Sequence, residues 1–405
     1  MRIMPLLAIS TAGLLLAFST PVLALSEGDA VKQALRNSTF QQTLSAREQQ
    51  AQGESRATGR WFNPEISYER ESLDVPGGES RETTLSLSQR FNLAGIKRLE
   101  RAAARHHVDA EAARTTLLKS ERVAHTRAAF YQALMAEQHY ARLDALYSDL
   151  NQLSSSIQAR AEAGDASRYD AMRIGREVAI YAGRRLQLAS HLQAEKGRLE
   201  VLTGADVSSL EGALLPRNDI AASEEDALAL HPLIAVYDAQ ISRASTQATA
   251  AGRQRWPDMT LSLGRKDVDE PGFETDGHVV ALGMELPIGT NGKHKAAASR
   301  SRADLLEAER QLAVQQLQAQ HTAYIEQFQA NKRASETLAR HGDDSDASEE
   351  GALVTTARAA YNAGEISIMA LLDAYRADYE LQERRLEHAL AARQAYIQWQ
   401  QLTGK

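Results

Sequence analysis

Residues 160–167 read RAEAGDAS, and residues 359–367, two hundred positions further along, read AAYNAGEIS. The match aligns Gly164 with Gly364, each within a long stretch of helix-forming residues. Two further matches keep the same offset: RRL at 184–186 and 384–386, and LTG at 202–204 and 402–404. A repeat of this length is not a short-period solenoid. We therefore expect two copies of one large, elongated unit.

The stretch before the first turn glycine predicts an exceptionally long helix. Between Gly95 and Gly164 the chain has 68 residues without glycine or proline, enough for about 100 Å of helix. Its apolar residues recur mostly at spacings of three and four. A second run starts after Gly292 and is interrupted by the polar segment 341–350, where we expect a break or bulge. Each turn should lead into a returning helix that ends at a Leu-Thr-Gly.

The turn residues have the chemistry of one helix ending and another beginning. Glycine readily adopts the left-handed backbone that terminates helices. Ser167 can cap the first returning helix, and Asp170 is placed to complete a capping box. Ser367 repeats the cap, but Ala370 stands where the acid would be.

Ahead of each long run, a helix is followed by two segments with strand-like alternation. In TTLSLSQRF (83–91), Leu85, Leu87 and Phe91 fall on one face. The predicted strands are 64–72, 83–91, 258–265 and 279–287. The loop between the last two is acidic and contains Asp267, Asp269, Glu270, Glu274 and Asp276. Residues 26–59 read as the preceding helix, so each unit runs helix, β-hairpin, long helix, turn, helix.

Strands of this length suit a membrane barrel, since a tilted spanning strand needs about 9–11 residues. Four strands are too few, because the smallest membrane barrels have about eight, whereas three chains supply twelve. Just before the strands lie Trp61, Phe62 and Trp256, residues favoured at membrane interfaces; packing at the strand base is the alternative. We predict a mainly α fold, with a trimeric helical tunnel and a 12-stranded β-barrel of four strands per chain.

Residues 1–24 read as an export signal peptide, with Arg2, an apolar run over 6–18 and a small-residue cleavage site ending at Ala24. The first repeat then covers 25–210, with the second at 211–405. There are no cysteines, so an exported chain must be held together by packing or oligomerisation. Abundant Ala, Leu, Glu, Gln and Arg with only 5% aromatic residues are typical of coiled coils.

Several function classes find no support in the sequence. The net charge of −7 and the lack of a basic stripe argue against nucleic acid as a partner. The eleven histidines include no His-x-x-x-His pair, so no metal site is predicted. No nucleophile elbow, phosphate-binding glycine loop or HExxH occurs, so we predict no enzyme and no cofactor.

This order of elements is similar to that of the TolC-like outer-membrane efflux proteins, over nearly the whole mature chain. The most specific segments are the tips, GDASRYDAMR at 164–173 and YNAGEISIMALLDA at 361–374. The resemblance implies a homotrimer that spans the bacterial outer membrane and forms a helical tunnel in the periplasm. A periplasmic membrane-fusion adaptor and an inner-membrane RND pump would dock at the tip, and the duct would perform no chemistry.

Within the family, WFNPEISYERE (61–71) and ETTLSLSQRFNLAGIKRLERAAA (82–104) resemble the heavy-metal subgroup of the cobalt-zinc-cadmium type. That resemblance implies export of divalent heavy-metal cations. The subgroup's Gly-Gly-Lys-Arg corner appears here as Gly95-Ile96-Lys97-Arg98, without the second glycine. A duct for drugs or other organic toxins remains an alternative, as does a soluble periplasmic coiled-coil adaptor without a barrel.

The resemblance also assigns roles at the tip. Asp373 matches an aspartate of the family's constriction, while the companion acid one turn earlier is Ala370. Asp170 and Tyr361 match residues that tie neighbouring helices in the closed state; capping is the other role open to Asp170. We expect the adaptor to dock on the two turns, Gly164, Asp165, Ala166, Ser167, Gly364, Glu365, Ile366 and Ser367.

Overall fold

The computed structural model describes residues 24–220, 228–289, 291–341 and 352–404. The expected export signal, up to residue 23, and the polar interruption from residue 342 lie outside these ranges.

The first unit contains a short strand, two helices, a hairpin, a very long helix and a returning helix. In chain order these are β1 (Leu25–Ser26), α1 (Glu27–Arg36), α2 (Ser38–Ala57), β2 (Glu65–Val75), β3 (Gly78–Asn92), α3 (Ile96–Ala163) and α4 (Arg168–Thr203). The second unit repeats the order. It consists of β4 (Leu210–Glu211), α5 (Pro232–Gly252), a 3₁₀ turn (Arg253–Arg255), β5 (Asp258–Glu270), β6 (Phe273–Glu285), α6 (Lys293–His341), α7 (Ala352–Asn362) and α8 (Ile368–Thr403). The predicted duplication is confirmed.

The long helix has the predicted length, but the first helix differs from expectation. Helix α3 covers 68 residues, from the left-handed Gly95 to the left-handed Gly164. The helix predicted over 26–59 is instead two helices, α1 and α2, because Asn37 leaves the helical conformation. Its side chain accepts a hydrogen bond from the Phe40 backbone N–H at 3.2 Å and caps α2. Asparagine competes with helix continuation through such local bonds.

The four long strands form one antiparallel sheet in the order β2-β3-β5-β6. They are 11 to 15 residues long, and each extends beyond its predicted segment on the side of the hairpin turn, although β2 begins at 65 and β6 ends at 285. The acidic residues expected in a loop lie within β5 and β6, which are joined by a tight turn at Pro271-Gly272. The prediction was wrong there because backbone pairing continues past the point where apolar alternation stops.

The two faces of this sheet differ in chemistry. Pairing register aligns Ile66, Leu87, Leu263 and Val280 in one row across all four strands, and each of them is exposed. On the opposite face, the Ser88 and Ser262 hydroxyls lie 2.7 Å apart. The sheet therefore has one uncovered apolar face and one polar face.

The helices pack side by side along the long axis of α3. Its Phe130 and Leu134 are buried with Leu199 of α4 and Ile397 of α8 in one cluster. Nearer the tips, Leu150 of α3 belongs to a second buried cluster. Within the described residues, no helix is both long and apolar enough to cross a membrane.

Candidate gate and docking surface at the helical tips

Each long helix pair ends in the same turn. Gly164 has φ 88°, and the backbone N–H of Asp165 donates to the Arg160 carbonyl at 2.8 Å. Gly364 has φ 77°, and the N–H of Glu365 donates to the Ala360 carbonyl at 2.9 Å. This bond, together with one from each glycine N–H, forms the Schellman arrangement that satisfies the last carbonyls of a helix. The two turns are thus built alike.

Substituting Gly164 tests how far this turn depends on left-handed backbone. Nothing lies within 4 Å of a Cβ added there, so the penalty of Gly164→Ala is conformational rather than steric. We expect about 1 kcal/mol less protection of the neighbouring amides in hydrogen exchange. Gly53→Ala is the control, since Gly53 lies within α2 with open space around it; it should add about 0.5–1 kcal/mol to helix stability. Equal protection in the two variants would contradict this account.

The residues expected to dock an adaptor form the exposed end of the molecule. Six of the eight are exposed, and Ala166 and Ile366 are half-buried. Ile366 packs against the second buried cluster, so it supports the turn as well as the surface. Ser167 and Ser367 cap α4 and α8 by accepting from the Tyr169 and Ala370 N–H groups. The Ser167 hydroxyl therefore accepts from the N–H of Tyr169, one residue earlier than the N–H of Asp170 that a capping box would use.

The two tips are held together by apolar packing beneath the turns. Ile174 of α4 and Leu371 of α8 are fully buried in one cluster with Leu150 and Ile157 of α3. Arg173 also lies across the two units, with its Nε 3.3 Å from the sulfur of Met369. The first and second tips therefore form one body within a single chain.

Asp373, the predicted constriction acid, is 67% exposed on α8. Its carboxylate lies 3.3 Å from Nη1 of Arg376 one turn later. The charge of Asp373 is thus partly balanced by a guanidinium group of the same helix.

A buried ion pair at the tip involves a residue that the sequence did not single out. Glu177 of α4 has only 4% of its side chain exposed, and it accepts two hydrogen bonds from Arg376 of α8, at 3.0 and 2.7 Å. Arg173 approaches the same carboxylate at 3.5 Å. The bond to Glu177 raises the pKa of Arg376, which stays charged. The only sequence signal was the Arg173–Glu177 spacing of four, which is common on solvated helix faces.

Tyr361 and Asp170, the predicted helix tie, lie near each other without a direct bond in the described structure. Tyr361 is half-buried, and burial followed by the nearby charge of Asp170 raises the pKa of its phenol. A different tyrosine links the helices directly: the Tyr375 hydroxyl of α8 accepts a hydrogen bond from Arg358 Nε of α7 at 3.2 Å. Arg358 also reaches Asp149 of α3 at 3.4 Å. That contact joins α7 and α8 to the first unit.

Higher along the bundle, a histidine is packed between the two units. His139 of α3 lies 2.6 Å from the Tyr379 hydroxyl and 3.3 Å from the Glu383 carboxylate, both on α8. Burial lowers the pKa of His139, and the charges of Glu383 and Glu387 only partly oppose this effect. His139 is therefore held in its neutral form near neutral pH.

This arrangement predicts a pH dependence of stability. Because the pKa of His139 is lower in the folded protein than its ordinary 6.5, the unfolded chain binds the proton more readily. Its stabilising contribution is complete above pH 6.5 and is lost as the pH falls through the lower folded value. For one proton, the free energy of unfolding cannot change by more than about 1.4 kcal/mol per pH unit. Thermal unfolding should be measured between pH 7.5 and 5. The fall in unfolding temperature on acidification should be smaller for His139→Gln than for the wild type.

His125→Gln is the matched control, since His125 is an exposed histidine on α3 that does not contribute to the pKa shift of His139. It should keep the acid sensitivity of the wild type. An identical pH profile for His139→Gln and wild type would show that His139 does not titrate within this range.

The aromatic residues predicted at the membrane interface surround the base of the sheet. Trp61 and Trp256 are 61% and 58% exposed. Phe62 is half-buried, and its ring lies 4.8 Å from the Arg90 guanidinium and 4.7 Å from the Lys97 ammonium. The described residues contain no cluster of three metal-ligating side chains.

No protein-family model and no curated protein sequence matches the chain. Its structure is nevertheless similar to solved outer-membrane channels. For CusC the TM-score is 0.79 at 14% identity, covering 93% of this chain and 91% of that one. For VceC of Vibrio cholerae it is 0.75 at 17%, covering 93% and 96%. For MtrE of Neisseria gonorrhoeae, in an open state, it is 0.74 at 16%, covering 93% and 88%. The chain therefore has the fold of these outer-membrane channels, a helical tunnel unit that carries four barrel strands.

Proposed function

We propose that the protein is the outer-membrane exit duct of a tripartite efflux system and works as a homotrimer. The observation that carries this proposal is the four-stranded sheet with one uncovered apolar face, attached to a 68-residue helix. The helices would form a periplasmic tunnel, and the duct would carry out no reaction. In a soluble coiled-coil adaptor, the apolar face of such a sheet would be left in contact with water.

The sheet supports the trimer because it has two free edges. Within the described part of the chain, strands β2 and β6 each pair on one side only. In a bilayer, unpaired backbone N–H and C=O groups are costly, so spanning sheets close into barrels. Joining β6 of one chain to β2 of the next gives twelve strands from three chains, with the apolar rows outside and the serine face lining the lumen.

The tip would act as the gate. Helices α4 and α8 are joined by Glu177 and Arg376 in a single chain, and a threefold assembly would bring three Asp373 carboxylates towards one axis. Carboxylates close together repel one another and attract cations. Docking of a membrane-fusion adaptor on the two exposed turns, with an RND pump behind it, would separate these helices and open the duct.

Divalent heavy-metal cations are the proposed cargo. Support comes from the sequence segments 61–71 and 82–104, which resemble the heavy-metal subgroup. A duct must release what enters it, so weak acidic attraction fits better than a tight ligand set. Organic toxins are the competing cargo, and the experiment below separates the two.

The test is a growth panel of a strain that lacks the protein, on zinc, cobalt, cadmium, copper and several lipophilic drugs. We expect selective sensitivity to one or more metals, restored by the wild-type gene. Glu365→Arg, on the exposed docking turn, should fail to restore growth although it reaches the membrane as a trimer. Glu48→Arg, on the exposed face of α2, is the matched control and should restore it. Sensitivity to drugs alone would reject the metal cargo and retain the duct.

A further inference from the structure

The junction between the sheet and the helices has a charge opposite to that of the chain. Four segments cross this junction, at 56–65, 90–101, 252–258 and 285–295. Together they contain ten Lys or Arg residues and four Asp or Glu residues, whereas the whole chain has a net charge of −7. At the far end of the same sheet, 70–82 and 265–276 contain four basic and nine acidic residues. The sheet is therefore basic at its base and acidic at its distal turns.

Contacts bring these segments to one level of the molecule. Phe62 of the first segment lies against Arg90 and Lys97 of the second. Arg253 of the third donates to the Ala94 carbonyl at 3.0 Å. Arg90 pairs with Asp258 at 2.8 Å and also with Glu285 of the fourth segment. The basic side chains therefore form a belt around one end of the sheet.

Most of the belt is not neutralised within the chain. Arg90 and Lys97 have carboxylate partners. Seven other cations are exposed and have no ion pair among the described residues: Arg56, Arg60, Arg98, Arg101, Arg255, Lys293 and Lys295. Exposed like charges repel one another, so a belt of this kind indicates an anionic partner outside the chain.

The position of the belt identifies that partner. Trp61 and Trp256, both mainly exposed, lie among these cations at the base of the strands. Indole side chains prefer the headgroup level of a bilayer, and nearby lysine and arginine side chains attract anionic lipids. We propose that this basic belt binds the anionic phospholipid headgroups of the leaflet on the helical side of the membrane. The proposal rests on the outer-membrane location proposed above and adds the lipid class that the junction selects.

The expected preference is measurable. A cation near an anionic membrane surface contributes about 1 kcal/mol, or about fivefold in lipid affinity. Removing three of the unpaired cations should therefore reduce the preference for anionic over zwitterionic lipid by up to about a hundredfold. Salt should weaken the preference, since the Debye length is only about 3 Å at 1 M.

The belt tryptophans supply the readout. Full-length protein is reconstituted in brominated phosphatidylcholine, which quenches tryptophan fluorescence, and unbrominated phosphatidylglycerol is then titrated in. If phosphatidylglycerol displaces the quencher from the belt, fluorescence recovers at a low mole fraction. In the Arg60→Gln/Arg98→Gln/Arg255→Gln variant, tryptophan fluorescence should recover only in proportion to the mole fraction of phosphatidylglycerol. The matched control, Arg36→Gln/Lys119→Gln/Arg176→Gln, removes three exposed cations from helices and should behave as wild type.

Three outcomes overturn the inference. Proportional recovery in the wild type means that the belt has no lipid preference although the protein is inserted. Equal loss in both triple variants means that net charge, not the belt, sets the preference. A protein that does not insert into the bilayer at all overturns both this inference and the proposed membrane location. An inserted protein with proportional recovery overturns only this inference, so the two failures are distinguishable.

Discussion

Glu177→Ala is expected to loosen the tip and, in the proposed duct, to increase the leak of ions. The substitution removes the buried carboxylate that both Arg376 and Arg173 contact, and leaves two partly exposed guanidinium groups near each other. Breaking a fully buried ion pair typically costs about 3–5 kcal/mol. We expect a smaller loss here, because Arg376 is 35% exposed and keeps its contact with Asp373. Single-channel recording in planar bilayers should show more frequent or longer open events than in wild type.

Asp373→Asn provides the comparison for that experiment. Asp373 contacts the same arginine, but its side chain is 67% exposed, and exposed pairs contribute about 0–1 kcal/mol. Asp373→Asn should leave the stability of the tip nearly unchanged and, in the proposed duct, affect mainly cation entry. Arg376→Ala and the Glu177→Ala/Arg376→Ala double variant complete a cycle that measures the coupling. Additive effects, or an unchanged leak in Glu177→Ala, would show that Glu177 does not take part in the proposed gate.

Val280→Arg is expected to prevent assembly in the membrane, whereas Ala281→Arg is tolerated. The two residues are adjacent in β6 and therefore point to opposite faces. Val280 belongs to the exposed apolar row, while Ala281 pairs with Ser262 on the polar face. Arginine on the lipid side of a barrel costs about 2–4 kcal/mol at the bilayer midplane, and a trimer carries it three times.

The measurement for this pair is the amount of heat-resistant trimer in outer-membrane fractions, beside the total expressed protein. Val280→Arg should be depleted from the membrane, and Ala281→Arg should be present near the wild-type amount. If Ala281→Arg were the depleted variant, the assignment of the two faces would be reversed.

Long-range features of the fold were predictable because they rest on residues with few conformational options. The absence of glycine and proline between Gly95 and Gly164 set the length of α3, and the left-handed backbone at both ends required those glycines. Asn37 was missed because a single capping side chain interrupts an otherwise helical pattern. The strands ran longer than predicted because alternation marks only the part of the sheet with an apolar face.

The candidate site was less predictable, since it depends on pairs that are distant in sequence. Arg376 and Glu177 are 199 residues apart, and neither residue alone differs from an ordinary solvated helix residue. Asp373 was identified through family resemblance, yet its partial neutralisation by Arg376 could not be seen without the helix geometry. The two tip turns, by contrast, follow from the repeated glycine and serine residues; their docking role stays a prediction.

The most direct test of the proposed duct is the oligomeric state of the purified full-length protein, measured by light scattering with and without detergent. We predict a trimer that requires detergent or lipid to stay in solution, because the apolar face of each sheet is uncovered. A stable monomer in detergent-free buffer would contradict the account, since it would leave the four-stranded sheet with two free edges and no barrel to close.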